Sequence, residues 1–211
     1  MKSRIRERGD TIQGTGEGGP PYPRARDRAN LHDMEPTELK ITPTEHVEVR
    51  HSDADCLSVQ VTYAPAGDPP PAHFHPKQDE SFEVLAGELH VRLGGEERVL
   101  GAGDTVKIPR GTVHSMWNPG DQPVRAIWET TPGERTHDWF RTIDALHRAG
   151  RVGKNGMPGP LAFAVLLTEY DDVFRLAAGP RPVVRTALAA LAVIGRLRGY
   201  SPAPPQLRSA V

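Results

Sequence analysis

The sequence predicts a mainly β protein, an all-β sandwich or barrel with an unstructured amino-terminal segment before it and a helical extension after it. Three observations predict this class. Gly and Pro number 21 each in 211 residues, about a fifth of the chain against a usual roughly 12%, which favours turns and short strands over long helices. From about residue 46 to 130 apolar side chains recur with period two, the mark of strands with one buried face. After Pro132-Gly133 the period becomes that of a helix.

Residues 1–40 mix Arg, Gly and Pro with few branched or aromatic side chains. Such a stretch buries too little apolar surface to offset the entropy of ordering, so it is expected to be disordered, and Met34 offers a second candidate start. No run in it has the apolar length of a secretory signal or a membrane span. Together with a single cysteine, Cys56, this places the expected protein in the cytoplasm and excludes an internal disulfide or a cysteine-clustered metal site.

Residues 41–131 are expected to form the barrel. HVEVR, CLSVQVTYA, SFEVLAG, ELHVRL, EERVL, DTVKIP, TVHSMWN and PVRAIWET are short β-favouring runs separated by Gly, Pro, Asp and Asn. Gly94-Gly95 supplies the two-residue loop of a tight hairpin. Residues 132–199 form the helical extension. Trp139, Phe140, Ile143 and Leu146 define a first helix ending at Gly150, Leu161 to Ala177 a second, and Val183 to Arg198 a third; residues 200–211 are a flexible tail.

Charge divides along the same boundaries. Residues 1–40, 41–131 and 132–211 carry net charges of +1, −7 and +5, for a total of −1. An acidic middle excludes a protein that coats nucleic acid. In the third helix Arg181, Arg185 and Arg196 share a narrow stripe while apolar residues occupy most of the rest. Such a helix needs a partner: the other helices, the barrel or a second subunit, with a membrane surface as the less favoured alternative.

The chemistry lies in two spaced motifs. The first runs Gly67, His73, His75, Glu80, Gly87, and the second Gly103, Pro109, Gly111, His114, Asn118. Together they resemble the two signature motifs of the cupin superfamily, G-x5-H-x-H-x4-E-x6-G and G-x5-P-x-G-x2-H-x3-N, at all ten defined positions. The resemblance covers about residues 45–130. It implies a double-stranded β-helix, or jelly-roll, barrel with a metal site at His73, His75, Glu80 and His114, and a homodimer.

The residues support the same reading directly. Side chains two apart on a strand share a face, so His73 and His75 offer two imidazoles side by side. His114 brings a third from a later strand, and Glu80 a carboxylate, with Asp79 as its rival for the inward position. Three nitrogens and one anion suit one divalent transition metal ion, Fe, Mn, Co, Ni, Cu or Zn, better than Ca or Mg. An unmotivated His is ordinarily a surface or hydrogen-bonded residue, which is the reading for His32, His46, His51, His90, His137 and His147.

Strand parity makes Met116 and Trp128 candidates for contact with a small-molecule substrate, Trp128 serving equally well as core. Gln78 could reach a substrate oxygen, although a solvated loop is the plainer reading. Beyond the metal ligands no nucleophile–base set or phosphate-cradling loop is present in the sequence. The expected function is therefore that of a metal-dependent, dioxygenase-like enzyme. The alternatives are a non-catalytic barrel that binds a metal or small molecule, and an isomerase or decarboxylase on the same scaffold.

Overall fold

The computed structural model describes residues 38–202. Most of the segment expected to be disordered, the candidate start at Met34 and most of the expected tail lie outside the described residues. In chain order the elements are β1 (Glu38–Thr42), β2 (Glu45–Ser52), β3 (Leu57–Tyr63), β4 (His73–Phe74), β5 (Asp79–Ala86), β6 (Leu89–Leu93), β7 (Glu96–Leu100), β8 (Thr105–Ile108), β9 (His114–Trp117), β10 (Val124–Thr131), α1 (Thr136–Arg148), α2 (Pro160–Glu169), β11 (Arg175–Leu176) and α3 (Arg181–Leu197).

The strands form two antiparallel sheets, one ordered β1-β2-β3-β10-β5-β8 and the other β11-β4-β9-β6-β7. This is the jelly-roll barrel. Alternation decides what faces inward. On β3, Leu57, Val59, Val61 and Tyr63 are buried, and on β5 Glu80, Phe82 and Val84. The central strand β9 is buried along its whole length, its outward Trp117 being covered by the Arg92 guanidinium at 5.0 Å. Between β6 and β7, Gly94 and Gly95 have φ of +56° and +99°, the paired left-handed geometry of a two-residue hairpin that a side chain would strain.

Three differences from the sequence expectation involve contacts with segments remote in the chain. β1 begins at Glu38, inside the segment expected to lack structure, because β2 and α1 hold it from both sides. The Lys40 N–H donates to Asp144 Oδ1 at 3.0 Å, and Arg148 reaches the Glu38 carbonyl at 3.1 Å. β4 and β11 are two-residue strands too short to carry a period. The second helix also stops at Glu169 instead of reaching Ala177. Asp171 binds the Arg175 guanidinium, and residues 175–176 pair with Phe74 and His73 on β4.

Helix α1 buries Trp139, Phe140 and Ile143 in the main core, each contributing about 1.5–3 kcal/mol by removal from water. α3 packs on α2 through a narrow seam at Ala192 and Gly195, where Leu161 O would stand 2.8 Å from any added Cβ. Val183, Val193, Ile194 and Leu197 remain exposed. No helix among the described residues is long and apolar enough to cross a membrane.

Candidate metal centre

The site is built by one rung of the second sheet. His73 on β4 is the register partner of His114 on β9, so residues far apart in sequence become neighbours. His75 follows two positions after His73 and is fixed by the Gly111 N–H, which donates to its carbonyl at 2.8 Å. Gly111 takes φ of +78° to make that turn, a conformation that glycine adopts at no steric cost. The ring centroids are 4.4 Å apart for His73 and His114, 5.3 Å for His73 and His75, and 5.4 Å for His75 and His114. One ligand atom from each lies within 4.8 Å of the others.

A backbone carbonyl orients each imidazole. Nδ1 of His73 meets Pro71 O at 3.0 Å, that of His75 meets Val173 O at 2.6 Å, and that of His114 meets Thr112 O at 3.0 Å. A carbonyl only accepts, so each Nδ1 carries the proton and each neutral ring turns an Nε2 lone pair toward the others. Phe174 stacks on His73 at 4.5 Å between centroids, adding a wall from the segment after α2.

Glu80 is the carboxylate that faces this cluster; Asp79 turns outward and grips Arg110 through both oxygens. Glu80 Oε1 lies 3.3 Å from His75 Nε2, and Oε2 lies 3.1 Å from His114 Nε2. Buried His75 Nε2 and Glu80 Oε2 nonetheless have no hydrogen-bond partner among the described residues. Lone pairs directed at a carboxylate in a dry site are unfavourable unless a cation or proton joins them. The donor set and its unpartnered atoms fit a divalent transition metal.

Electrostatics keep the cluster ready for a cation. Desolvation, then the neighbouring His114 and His75, hold the His73 imidazole down to about 3; burial lowers His75 as well. Burial alone would raise Glu80, but the surrounding imidazoles more than offset it and draw its carboxyl down to about 2. His114 shows the converse: burial lowers it, and the adjoining Glu80 carboxylate raises it by more.

The imidazoles line a cavity of about 110 Å³. Met116 and Trp128 line it too, and the Trp128 indole N–H also donates to Glu80 Oε1. Gln78 is neither a cavity residue nor part of a solvated loop. It is 1% exposed, and its amide N–H₂ donates to the carbonyls of Pro132 and Gly133 and to Thr136 Oγ1, tying β5 to the start of α1. Sequence reasoning missed Glu45 and Tyr63, register partners on β2 and β3 that line the same cavity. A Glu beside a His in a polar stretch carries no distinguishing signal.

Two antiparallel sheets enclosing a cluster of inward imidazoles define a small β-barrel built to hold a metal ion. Residues 59–129 match the family model of the cupin domain, so this segment of the chain is a cupin domain. The chain is 41% identical over 69 residues to oxalate oxidase 1 of Hordeum vulgare, covering 29% of this chain and 34% of that one. It is 33% identical over 60 residues to the tetracenomycin polyketide synthase protein TcmJ of Streptomyces glaucescens, covering 28% and 40%. Among solved structures, KdgF from Halomonas sp. aligns with a TM-score of 0.42 at 24% identity, covering 46% of this chain and 87% of that one. The matched segment spans only about a third of the length of these curated relatives.

Proposed function

We propose that the protein is a metal-dependent oxygenase of the dioxygenase type, acting on a small organic molecule bound in the barrel. One observation carries this reading: three backbone-oriented Nε2 lone pairs, with Glu80 against two of them, converge at the wall of a cavity lined by aromatic side chains. His73, His75, His114 and Glu80 would hold the ion. A redox-active metal supplies Lewis acidity and electron exchange with dioxygen, which no side chain lining the cavity offers.

The protein's own residues set the substrate. The cavity volume, about 110 Å³, lies well below the roughly 300–1,000 Å³ of drug-sized sites, so the substrate is a single ring or a short chain. Trp128, Phe82, Phe140 and Trp139 give it apolar walls, and among the described residues no Lys or Arg lines it. A mostly neutral molecule with oxygen donors to offer the metal is favoured over a dianion. The name of the barley relative supports the oxidative part of this reading, over the barrel segment alone. A homodimer and a cytoplasmic location, where Cys56 stays reduced, belong to the same proposal.

The test begins with elemental analysis of protein purified without added metal. Oxygen uptake is then measured over a panel of catechols, flavonols and thiols with iron, manganese, nickel or copper. Uptake with a small catechol, lost in His73→Ala, is the expected result. Retained metal with no uptake across the panel would indicate a binding module or a non-oxidative reaction instead. Sedimentation velocity checks the dimer.

A further inference from the structure

Glu45 opens β2 just after the β1–β2 turn, and it is the one carboxylate among the described residues that line the cavity. Its side chain enters no hydrogen bond or ion pair among the described residues. Its register partner Tyr63 lines the cavity as well. The remaining titratable groups on the lining are His73, His75 and His114; β1, α1, α2 and the 156–158 loop contribute none. A carboxyl group kept unpartnered among aromatic walls costs stability, and such a group marks a place where chemistry is done.

Three carboxylate or phenol groups stand near a bound substrate, and two are set aside. Glu80 accepts from Trp128 and faces His75 and His114. Burial, with Glu45 and Glu80 adding to it, holds the Tyr63 hydroxyl far above neutrality. Glu45 differs from both. Desolvation, with Glu80 as the second cause, brings its carboxyl up to about 7, where an acid–base group is most effective at neutral pH.

We propose that Glu45 is the proton-transfer residue of this cavity, serving the hydroxyl group of a small, single-ring substrate. The substrate O–H bond breaks, the proton passes to a Glu45 carboxylate oxygen, and the bonding pair stays on the substrate oxygen as a negative charge, which an ion held by His73, His75, His114 and Glu80 would offset. The reverse transfer delivers the proton to the product, so Glu45 is unchanged over the cycle. This rests on the reading of the cavity as a substrate site beside a metal centre, and adds its base and the substrate's reacting group.

The test uses the metal-loaded protein and catechol, a single-ring diol that is neutral in solution at pH 8. Calorimetry in buffers of different ionisation heat counts protons released on binding, and infrared difference spectra follow the carboxyl bands. Wild type is expected to release close to no proton and to convert a carboxylate band into a carboxylic-acid band. Glu45→Gln is expected to release about one proton per catechol and to lack that conversion, while Glu45→Asp retains part of it. Equal proton release and identical spectra in wild type and Glu45→Gln overturn the role of Glu45. Failure of both proteins to bind catechol overturns the substrate class and the proposal with it. Metal content measured on the same samples separates these failures from that of the metal-enzyme reading, which falls if no transition metal is retained.

Discussion

The Trp128 indole Nε1–H donates to Glu80 Oε1 over 2.9 Å inside the barrel. The two residues sit on neighbouring strands, where Trp128 is the register partner of Phe82, so the indole reaches along the sheet to the carboxylate two positions away. A donor to an ionised group contributes about 1.5–3 kcal/mol, and a partner of this kind fixes where the carboxylate points.

Trp128→Phe keeps an aromatic ring at this position, removes that N–H and leaves a smaller ring in the core. It is expected to lower metal affinity by roughly 10- to 100-fold and unfolding stability by about 1–3 kcal/mol. Calorimetric metal titration and denaturant melts of the same variant check both. Unchanged affinity would mean that Glu80 needs no help to hold its orientation.

His75→Ala and His114→Ala remove donors from the cluster itself and are expected to weaken metal binding by more than the roughly 10- to 100-fold typical of losing an outer partner. The barrel should stay folded, because its core consists of Leu57, Val59, Phe82, Val84 and other residues that neither change touches. Metal content and far-UV circular dichroism are the readouts. Collapse of the fold would show that the ion is structural.

Legibility from sequence followed the length of each signal. All eight strands with a two-residue period were visible, as was α1, because Trp139, Phe140 and Ile143 are spaced for one buried face. His73, His75, Glu80 and His114 were visible because their joint spacing is specific, and alternation with Phe82 and Val84 separated Glu80 from Asp79. β4 and β11 were hidden, since two residues hold no period and their partners lie far along the chain; β1 was hidden because Asp144 and Arg148, which help to hold it, lie far along the chain on α1. Glu45 was hidden for another reason: a carboxylate becomes distinctive only when its surroundings are known to be apolar. Gln78 was misjudged because KQDE is solvent-like as a string, whereas three acceptors near the start of α1 await its amide.

Gln78→Leu is therefore expected to act on stability, with catalysis affected little. It strands acceptors at Pro132, Gly133 and Thr136 and should cost about 1–3 kcal/mol. Thermal melts and metal titration on one preparation check it, with metal affinity expected to stay within a few-fold of wild type.

The pH dependence of metal-free stability should report Glu45. Its folded-state value, raised from 4.5 to about 7, means that an unfolded chain gives up this proton first as pH rises. The contribution is fully present below about 4.5 and is lost as pH climbs through about 7. Glu45→Gln lacks this loss, so its melting temperature should gain on wild type between pH 5 and pH 8. The opposite trend from His73, lowered to about 3, is common to both proteins and cancels in the difference. Parallel melting curves across that range would contradict the environment described for Glu45.

Residues 173–176, well past the cupin match, supply the carbonyl that orients His75, the ring that stacks on His73 and the edge strand beside β4. The centre is thus not portable as a barrel alone. A fragment cut at residue 131 would keep all four side chains of the candidate centre and still lose the bracing of two of them, so grafting or truncation has to carry the chain through Leu176.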